Sequence, residues 1–329
     1  MSESWTSRKI LETSGSYWQT FALHAAVKLD IFTLPGKEKF NAKEIAQKCE
    51  SDPRGMEILL DALCGMRLLE KHDGFYQNTE EAKTYLSKDS PQYLGYMIQH
   101  HAQLVEGWNK LDKAVKTGMP TRIHSHSKEE RENFLMGMFN LAMMIAPGLA
   151  RQIPLSDRKK LLDLGGGPGT YCIQFCLANP QLYGTIYDLP GSREFAQKTI
   201  EQFGLSQRVR FIGGDYLKDV IPGSYDVAWL SHIFHAEGEE GCKAILEKAV
   251  NALSPGGLIL IHDFFLDSSK TQPLFASLFS LNMLVNTKEG RSYSEEEIRE
   301  KMKNVGIVEI QRLDFIGPNQ SGILYGKKI

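Results

Sequence analysis

The sequence has no basic excess: 38 Lys and Arg stand against 40 Asp and Glu, a net charge of −2. A protein that wraps nucleic acid by neutralising phosphates carries a surplus of positive charge, so that class is disfavoured for the chain as a whole. No apolar run approaches the ~18 residues of a membrane-spanning helix. Met1–Arg8 leads into a polar stretch that lacks the apolar core of a signal peptide. Cysteine is scarce and odd in number, at positions 49, 64, 172, 176 and 242, which argues against a disulfide framework. Cys172 and Cys176 lie four apart and share a helix face; they read as buried thiols. Internal repeats and low-complexity tracts are missing too. These absences leave a soluble cytoplasmic protein of ordinary globular composition, 42% apolar and 24% charged.

Two periodicities divide what is present. From Ser16 to about Ala150 the pattern is helical: Trp18, Phe21, Ala22, Ala25, Ala26 and Leu29 recur at three- and four-residue steps. Asn41 with Glu44 predicts a capped helix start, and Asp52-Pro53 another. The second of these helices runs through Ile58, Leu59, Leu60, Leu63 and Met66. Leu68–Lys71 and Phe75-Tyr76 around Asp73-Gly74 then predict a hairpin. Helix, helix, hairpin is the order of a winged helix, a module that binds DNA or mediates dimerisation. Its second helix carries Arg54 and Arg67 but also Glu57 and Asp61, which favours dimerisation. Helices are expected over Tyr93–Lys116 and Lys128–Ala150. Between them, His124 and His126 lie in a segment read as a solvated loop, with no third ligand for a metal.

From Lys159 onward, strands alternate with helices of 10–15 residues, which implies βαβ units and a parallel sheet. The expected class is α/β: a Rossmann-like domain over 151–329, a helical linker over 91–150 and a winged-helix-like dimerisation domain over 1–90.

The first strand runs into Asp163-Leu164-Gly165-Gly166-Gly167-Pro168-Gly169-Thr170. Glycines at a strand-to-helix turn let the backbone approach a ligand, and the helix N-terminus offers free N–H groups. The third glycine comes one residue early for a dinucleotide fingerprint, which disfavours a dehydrogenase, and no Gly-Lys-Ser/Thr follows for a phosphate loop. Asp188 ends the second strand, placed to accept ribose hydroxyls. Gly214-Asp215-Tyr216 ends the third, with an acid for an adenine amino group and a ring to stack. Ser231, His232 and His235 end the fourth. All fall at the carboxyl ends of strands, where open α/β sheets hold ligands.

Leu161–Gly169, Asp188-Leu189-Pro190, Gly214-Asp215-Tyr216, Ile233-Phe234-His235 and Pro255-Gly256-Gly257 together resemble the class I small-molecule O-methyltransferases of the acetylserotonin and caffeic acid type. The resemblance covers most of the chain. It implies S-adenosylmethionine (AdoMet) as cofactor, held by Gly165, Gly166, Gly167, Asp188, Leu189, Gly214, Asp215, Tyr216 and Ser231, with S-adenosylhomocysteine as product. It implies a small-molecule acceptor lined by Phe134, Met138, His232, Asn282 and Met283, and a homodimer whose first helix brings Trp18 and Phe21 toward the partner's pocket. No nucleic acid, membrane or metal partner is expected.

His235 matches the family's general base. Relatives follow it with Asp, whereas this chain reads His235-Ala236-Glu237, so Glu289 or Asp263 is expected to support the base. The leading reading is in-line methyl transfer to a hydroxyl of a small aromatic or polyketide-like molecule. Transfer to carbon, nitrogen or sulfur, a non-methylating relative, and a winged-helix DNA-binding regulator are the alternatives.

Overall fold

The computed structural model describes residues 4–34, 39–122 and 127–329. His124 and His126 therefore lie outside the described residues. The chain forms two compact units, Met1–Gln103 with Ser127–Asn140 and Leu104–His126 with Leu141–Ile329. The segment 91–150 is divided between them.

In the first unit, the amphipathic pattern forms a helix at Tyr17–Lys28 behind a shorter one at Ser7–Gly15. Asn41 caps the helix Ala42–Lys48: its side chain accepts the Lys43 and Glu44 N–H groups while Glu44 accepts the Asn41 N–H. Asp52 accepts the Gly55 N–H and Pro53 opens the helix Pro53–Gly65. Phe40–Asn41 forms a short strand, β1. It joins the hairpin of β2 (Leu69–His72) and β3 (Phe75–Asn78) in the order β1-β3-β2. Asp73 and Gly74 turn the hairpin with φ of 52° and 79°, the left-handed pair that matches strand twist. Sequence periodicity missed β1, because two residues show no alternation. Ala26, Ile31, Ile45, Leu60, Leu63, Leu69 and Tyr76 form this unit's core. Both long helices expected downstream are broken. Gly95–Trp108 and Leu111–Thr117 replace one, and Lys128–Met143 and Ala146–Gln152 the other. In the second case Pro147 lacks an N–H, so it sits in the first turn of a new helix.

The second unit is a seven-stranded sheet in the order β6-β5-β4-β7-β8-β10-β9. Its strands are β4 (Lys160–Leu164), β5 (Tyr183–Asp188), β6 (Val209–Gly213), β7 (Tyr225–Ser231), β8 (Leu253–Asp263), β9 (Ile307–Arg312) and β10 (Gly322–Lys328). The first five are parallel, and β10 runs antiparallel to β8 and β9. Alternate residues feed opposite faces, as the pleat requires. Leu162, Leu164, Ala228, Leu230, Ile259 and Ile261 meet the helices Glu239–Ala252 and Glu295–Asn304. Leu161, Val227, Trp229 and Leu260 meet Thr170–Ala178 and Arg193–Gln202. Cys172 and Cys176 are buried there as free thiols. The helix Leu274–Asn286 follows β8. Order reverses beside β4, where the chain turns from β5 and β6 on one side to β7 and β8 on the other, leaving a crevice at the carboxyl ends of β4 and β7.

Candidate active site

Two constellations lie at the carboxyl ends of these strands. The first surrounds the glycine loop after β4. Gly169 has φ of 80°, and a Cβ there would collide with Ile186, so only glycine lets Thr170–Ala178 start so close to β5. The Gly165 N–H donates to the Tyr187 carbonyl at 2.8 Å, tying the loop to β5. Asp163 lies almost fully buried beneath it, accepts the Cys172 N–H at 3.2 Å, and lies so close to Gly166 that a Cβ there would meet its carboxyl at 2.6 Å. Burial pushes the Asp163 carboxyl up to about 7, against the Cys172 hydrogen bond and with the nearby Asp188 adding to the rise.

Asp188 ends β5 and accepts three hydrogen bonds: Gly167 N–H at 2.7 Å, Leu189 N–H at 2.7 Å and Ser192 hydroxyl at 2.9 Å. Burial raises its affinity for a proton and these three donors oppose it. A carboxylate offers roughly four acceptor sites, so about one remains for a ligand. Leu189 is exposed beside it. The Gly214 N–H donates to the Asp188 carbonyl at 2.9 Å, bringing the β6 turn alongside. Asp215 accepts from Leu217 N–H at 2.9 Å and Lys218 at 2.8 Å, and the lysine holds its carboxyl below the ordinary range. Tyr216 packs half-buried against the apolar layer under β7.

The second constellation is made by β7, β8 and the turn after β7. His235 Nδ1 lies 2.7 Å from Asp263 Oδ1, which also accepts the Phe264 N–H at 2.8 Å. His232 Nδ1 approaches the same oxygen at 3.6 Å. His232 has φ of 56°, unusual for a residue with a Cβ, and is held there by an N–H bond to the His262 carbonyl at 2.8 Å. Burial alone would raise the Asp263 carboxyl, but His235 and His232 outweigh it and hold Asp263 well below the usual carboxylate range. An ionised Asp263 can only accept, so this hydrogen bond calls for the proton on His235 Nδ1. Nε2 is left as the ring's free acceptor. Phe279 meets the His235 ring edge-on at 4.8 Å, and Phe264 packs against Phe279 and Phe275 at 4.9 and 4.8 Å.

The other expected residues fall as follows. Ser231 meets His262 Nδ1 at 3.0 Å, and His262 Nε2 meets Ser321 at 3.0 Å. Burial drives His262 well toward its neutral form. Glu289 is exposed, and its carboxylate lies against Gly238, where a Cβ would meet it at 2.5 Å. It forms none of the described bonds to His235; Asp263 does. Asn282 accepts the Trp108 Nε1–H at 2.9 Å, and Met283 is buried. Trp18, Phe134 and Met138 belong to the helical unit, the first two exposed and Met138 half-buried; Phe134 rests 5.2 Å from the His100 ring. Sequence reading missed Ser192, Trp108, Phe264, Phe275 and Phe279. The i, i+4 spacing of Phe275 and Phe279 was the signal for the last pair, once Leu274–Asn286 is recognised as a helix.

A largely parallel sheet with this strand order, a glycine loop after its first strand and an acid ending its second define an open α/β fold of the nucleoside-cofactor-binding class. The O-methyltransferase domain model matches residues 99–308 and the O-methyltransferase dimerisation domain model residues 11–88. The chain belongs to this O-methyltransferase family. It is 33% identical to 3-hydroxy-5-methyl-1-naphthoate 3-O-methyltransferase of Streptomyces sahachiroi, over 94% of this chain and 92% of that protein. It is 29% identical to the N,N-dimethyltransferase OxyT of Streptomyces rimosus, over 94% and 93%. Among solved structures, PigF with S-adenosylhomocysteine superposes with a TM-score of 0.91 at 26% identity, covering 98% of this chain and 100% of that one.

The protein is an AdoMet-dependent methyltransferase with the family's dimerisation domain. Its residues fit that cofactor. Asp188 has no basic partner among the described ion pairs and keeps about one acceptor site, of the kind a ribose hydroxyl can fill, while buried Asp163 braces the loop from beneath. No single described helix is long and apolar enough to cross a membrane.

Proposed function

We propose that the enzyme methylates a hydroxyl of a small aromatic or polyketide-like molecule, with His235 as general base and Asp263 as the residue that orients it. The observation that carries this reading is the 2.7 Å bond from His235 Nδ1 to a carboxylate kept ionised. Bound AdoMet supplies a methyl group already activated on a positive sulfur. Gly165, Gly166, Gly167, Asp188, Leu189, Gly214, Asp215, Tyr216 and Ser231 are the residues assigned to hold it.

Asp263 fixes the tautomer of His235 and stabilises the imidazolium that forms, the logic of a catalytic triad without its nucleophile. His235 Nε2 takes the hydroxyl proton as the acceptor oxygen loses it. A phenol near pKa 10 and an imidazole near 6.5 differ by about 3.5 units, roughly 5 kcal/mol for complete transfer before bond formation. Proton removal therefore accompanies attack along the in-line path and contributes about 10²–10⁴-fold. Phe264, Phe275 and Phe279 beside His235 suit a flat ring by edge and face contacts. Asn282 and His232 offer polar contacts on the same unit. Asp263 thus takes the role that the Asp following the base holds in relatives, and Glu289 is not needed for it.

The helix–helix–hairpin unit reads as a winged-helix platform for a homodimer, and the five free cysteines suit a reducing, cytoplasmic compartment. The N,N-dimethyl relative keeps an amine acceptor as the second reading.

The test is a panel of hydroxylated naphthoates and their amino analogues, assayed with wild type and His235→Ala. Methylation of hydroxyl compounds that collapses in the variant supports the proposal. Methylation of amines alone, untouched by the variant, replaces it with the second reading.

A further inference from the structure

Asp263 shares one buried carboxylate between two imidazoles. His235 Nδ1 lies 2.7 Å and His232 Nδ1 3.6 Å from its Oδ1. One potential ligand atom from each of the three residues lies within 4.8 Å of the others. Orienting a base needs only one of these rings. Two buried atoms have no hydrogen-bond partner: His232 Nδ1, and Oδ2 of Asp263, whose side chain is 6% exposed. A buried unpaired carboxylate oxygen costs free energy. His232 holds a positive φ of 56°, a backbone conformation costly for a residue with a Cβ, while its ring nitrogen lies 3.6 Å from Asp263 Oδ1.

We propose that His232, His235 and Asp263 form a binding site for a divalent transition-metal ion of the zinc type, and that an ion bound there silences the base. Two imidazoles and one carboxylate are the ligands of open zinc sites, with a further position left to water. Zinc holds such atoms at about 2.0–2.2 Å, so its ligand atoms lie within about 4 Å of one another. To reach about 3.4 Å, the tetrahedral spacing at those bond lengths, the 2.7 Å His235–Asp263 pair opens while the widest pair, now within 4.8 Å, closes. Asp263 Oδ1 is the carboxylate atom that both imidazoles approach, and the unpartnered His232 Nδ1 gains a partner in the process. The side chains of His232 and His235 are 26% and 12% exposed, although Nδ1 of His232 is itself buried. His262, the third ring in the cluster, is excluded as a ligand because Ser231 and Ser321 occupy both of its nitrogens. Imidazole with carboxylate selects zinc, cobalt or nickel over magnesium or calcium.

The consequence for the base follows from proton count. A neutral imidazole carries one proton. When a metal takes the Nδ1 lone pair of His235, that proton resides on Nε2, which can then donate but not accept. The ion also withdraws Asp263 from its orienting role. Metal binding and methyl transfer are therefore mutually exclusive at His235.

The inhibition rests on the base role of His235; the metal site does not. The experiment is titration of tag-free, full-length protein with Co²⁺, followed by its visible ligand-field absorption, in parallel with turnover during Zn²⁺ titration. One Co²⁺ per chain with the intense absorption of a low-coordinate site is expected. His232→Ala and Asp263→Asn should each weaken binding by more than the roughly 10–100-fold that loss of an outer partner costs, while His72→Asn, on the exposed hairpin, leaves it unchanged. Calorimetry with S-adenosylhomocysteine checks that each variant is folded. No cobalt spectrum in folded wild type, or a spectrum indifferent to both ligand variants, overturns the site. A spectrum that depends on those residues, with turnover unaffected by zinc, leaves the site standing and overturns His235 as the base.

Discussion

The carboxyl ends of β4 and β5 and those of β7 and β8 lie in the same sheet, yet they are built by opposite means. The loop after β4 works through backbone. Its N–H groups are aimed by glycine conformations, and its acids, Asp163 and Asp188, spend their hydrogen bonds bracing the loop. The corner at β7 and β8 works through side chains: one carboxylate and two imidazoles from neighbouring strand ends, with three phenylalanines against them. A backbone site tolerates exchange of many side chains but not of its glycines. A side-chain site tolerates backbone variation but not the loss of a single ring or carboxylate.

The sharpest way to break this contrast is at the side-chain corner. His235→Ala should lower kcat by about 10²–10⁴-fold and leave S-adenosylhomocysteine affinity within twofold by calorimetry. A large loss of cofactor affinity would mean that the two regions are one site. Asp263→Asn should behave similarly, because the amide carries no charge to stabilise the imidazolium and its NH2 group can impose the other tautomer.

The next effect is on stability and belongs to the loop. Asp163 titrates near 7 when folded and near 3.8 as a free side chain. Between those values the folded state binds more protons than the unfolded one, so stability is full at low pH and falls as pH rises through this window. Asp163→Asn carries no charge. The stability difference between variant and wild type should therefore shift by a few kcal/mol in the variant's favour from pH 4 to pH 7, at about 1.4 kcal/mol per unit. Denaturant melts across pH measure it, and a constant difference would sink the claim that burial holds this proton.

Asp188→Ala should weaken S-adenosylhomocysteine by about 10- to 100-fold, the worth of hydrogen bonds to a charged group, and free the Gly167, Leu189 and Ser192 donors. Calorimetry reads it, and an unchanged affinity would show that backbone alone holds the cofactor. The smallest effect lies outside both regions. Asn41→Ala removes a capping box in the helical unit and should cost about 1 kcal/mol in denaturant melts, with kcat/KM per folded molecule unchanged.

Legibility differed along the same line. The loop was readable because its parts are contiguous or one βαβ step apart: Asp163, Gly165–Gly169 and Asp188 span 26 residues. His235, the proposed base, was picked out by its place after β7. Its partner was not, since Glu289 and Asp263 stood as equal candidates. The choice depends on β7 pairing with β8 in the register that sets Ser231 beside His262 and brings Asp263 up to the turn carrying His235. The phenylalanine wall was hidden for a related reason: Leu274–Asn286 is too uniformly apolar to announce a helical face.

By itself, then, the sequence determined the α/β class, the alternation of strands, the capped helices and hairpin of the N-terminal unit, and the cofactor loop. Each of these rests on local forces: periodic burial, capping hydrogen bonds and the left-handed freedom of glycine. Only the tertiary structure decided that Asp263 supports His235, that His232 converges on the same oxygen, that Glu289 lies against Gly238, and that Pro147 breaks a helix the periodicity would have continued. Three of these four are approaches between groups on separate elements. They are set by strand register and turn geometry, which leave no mark on the spacing of residues along the chain.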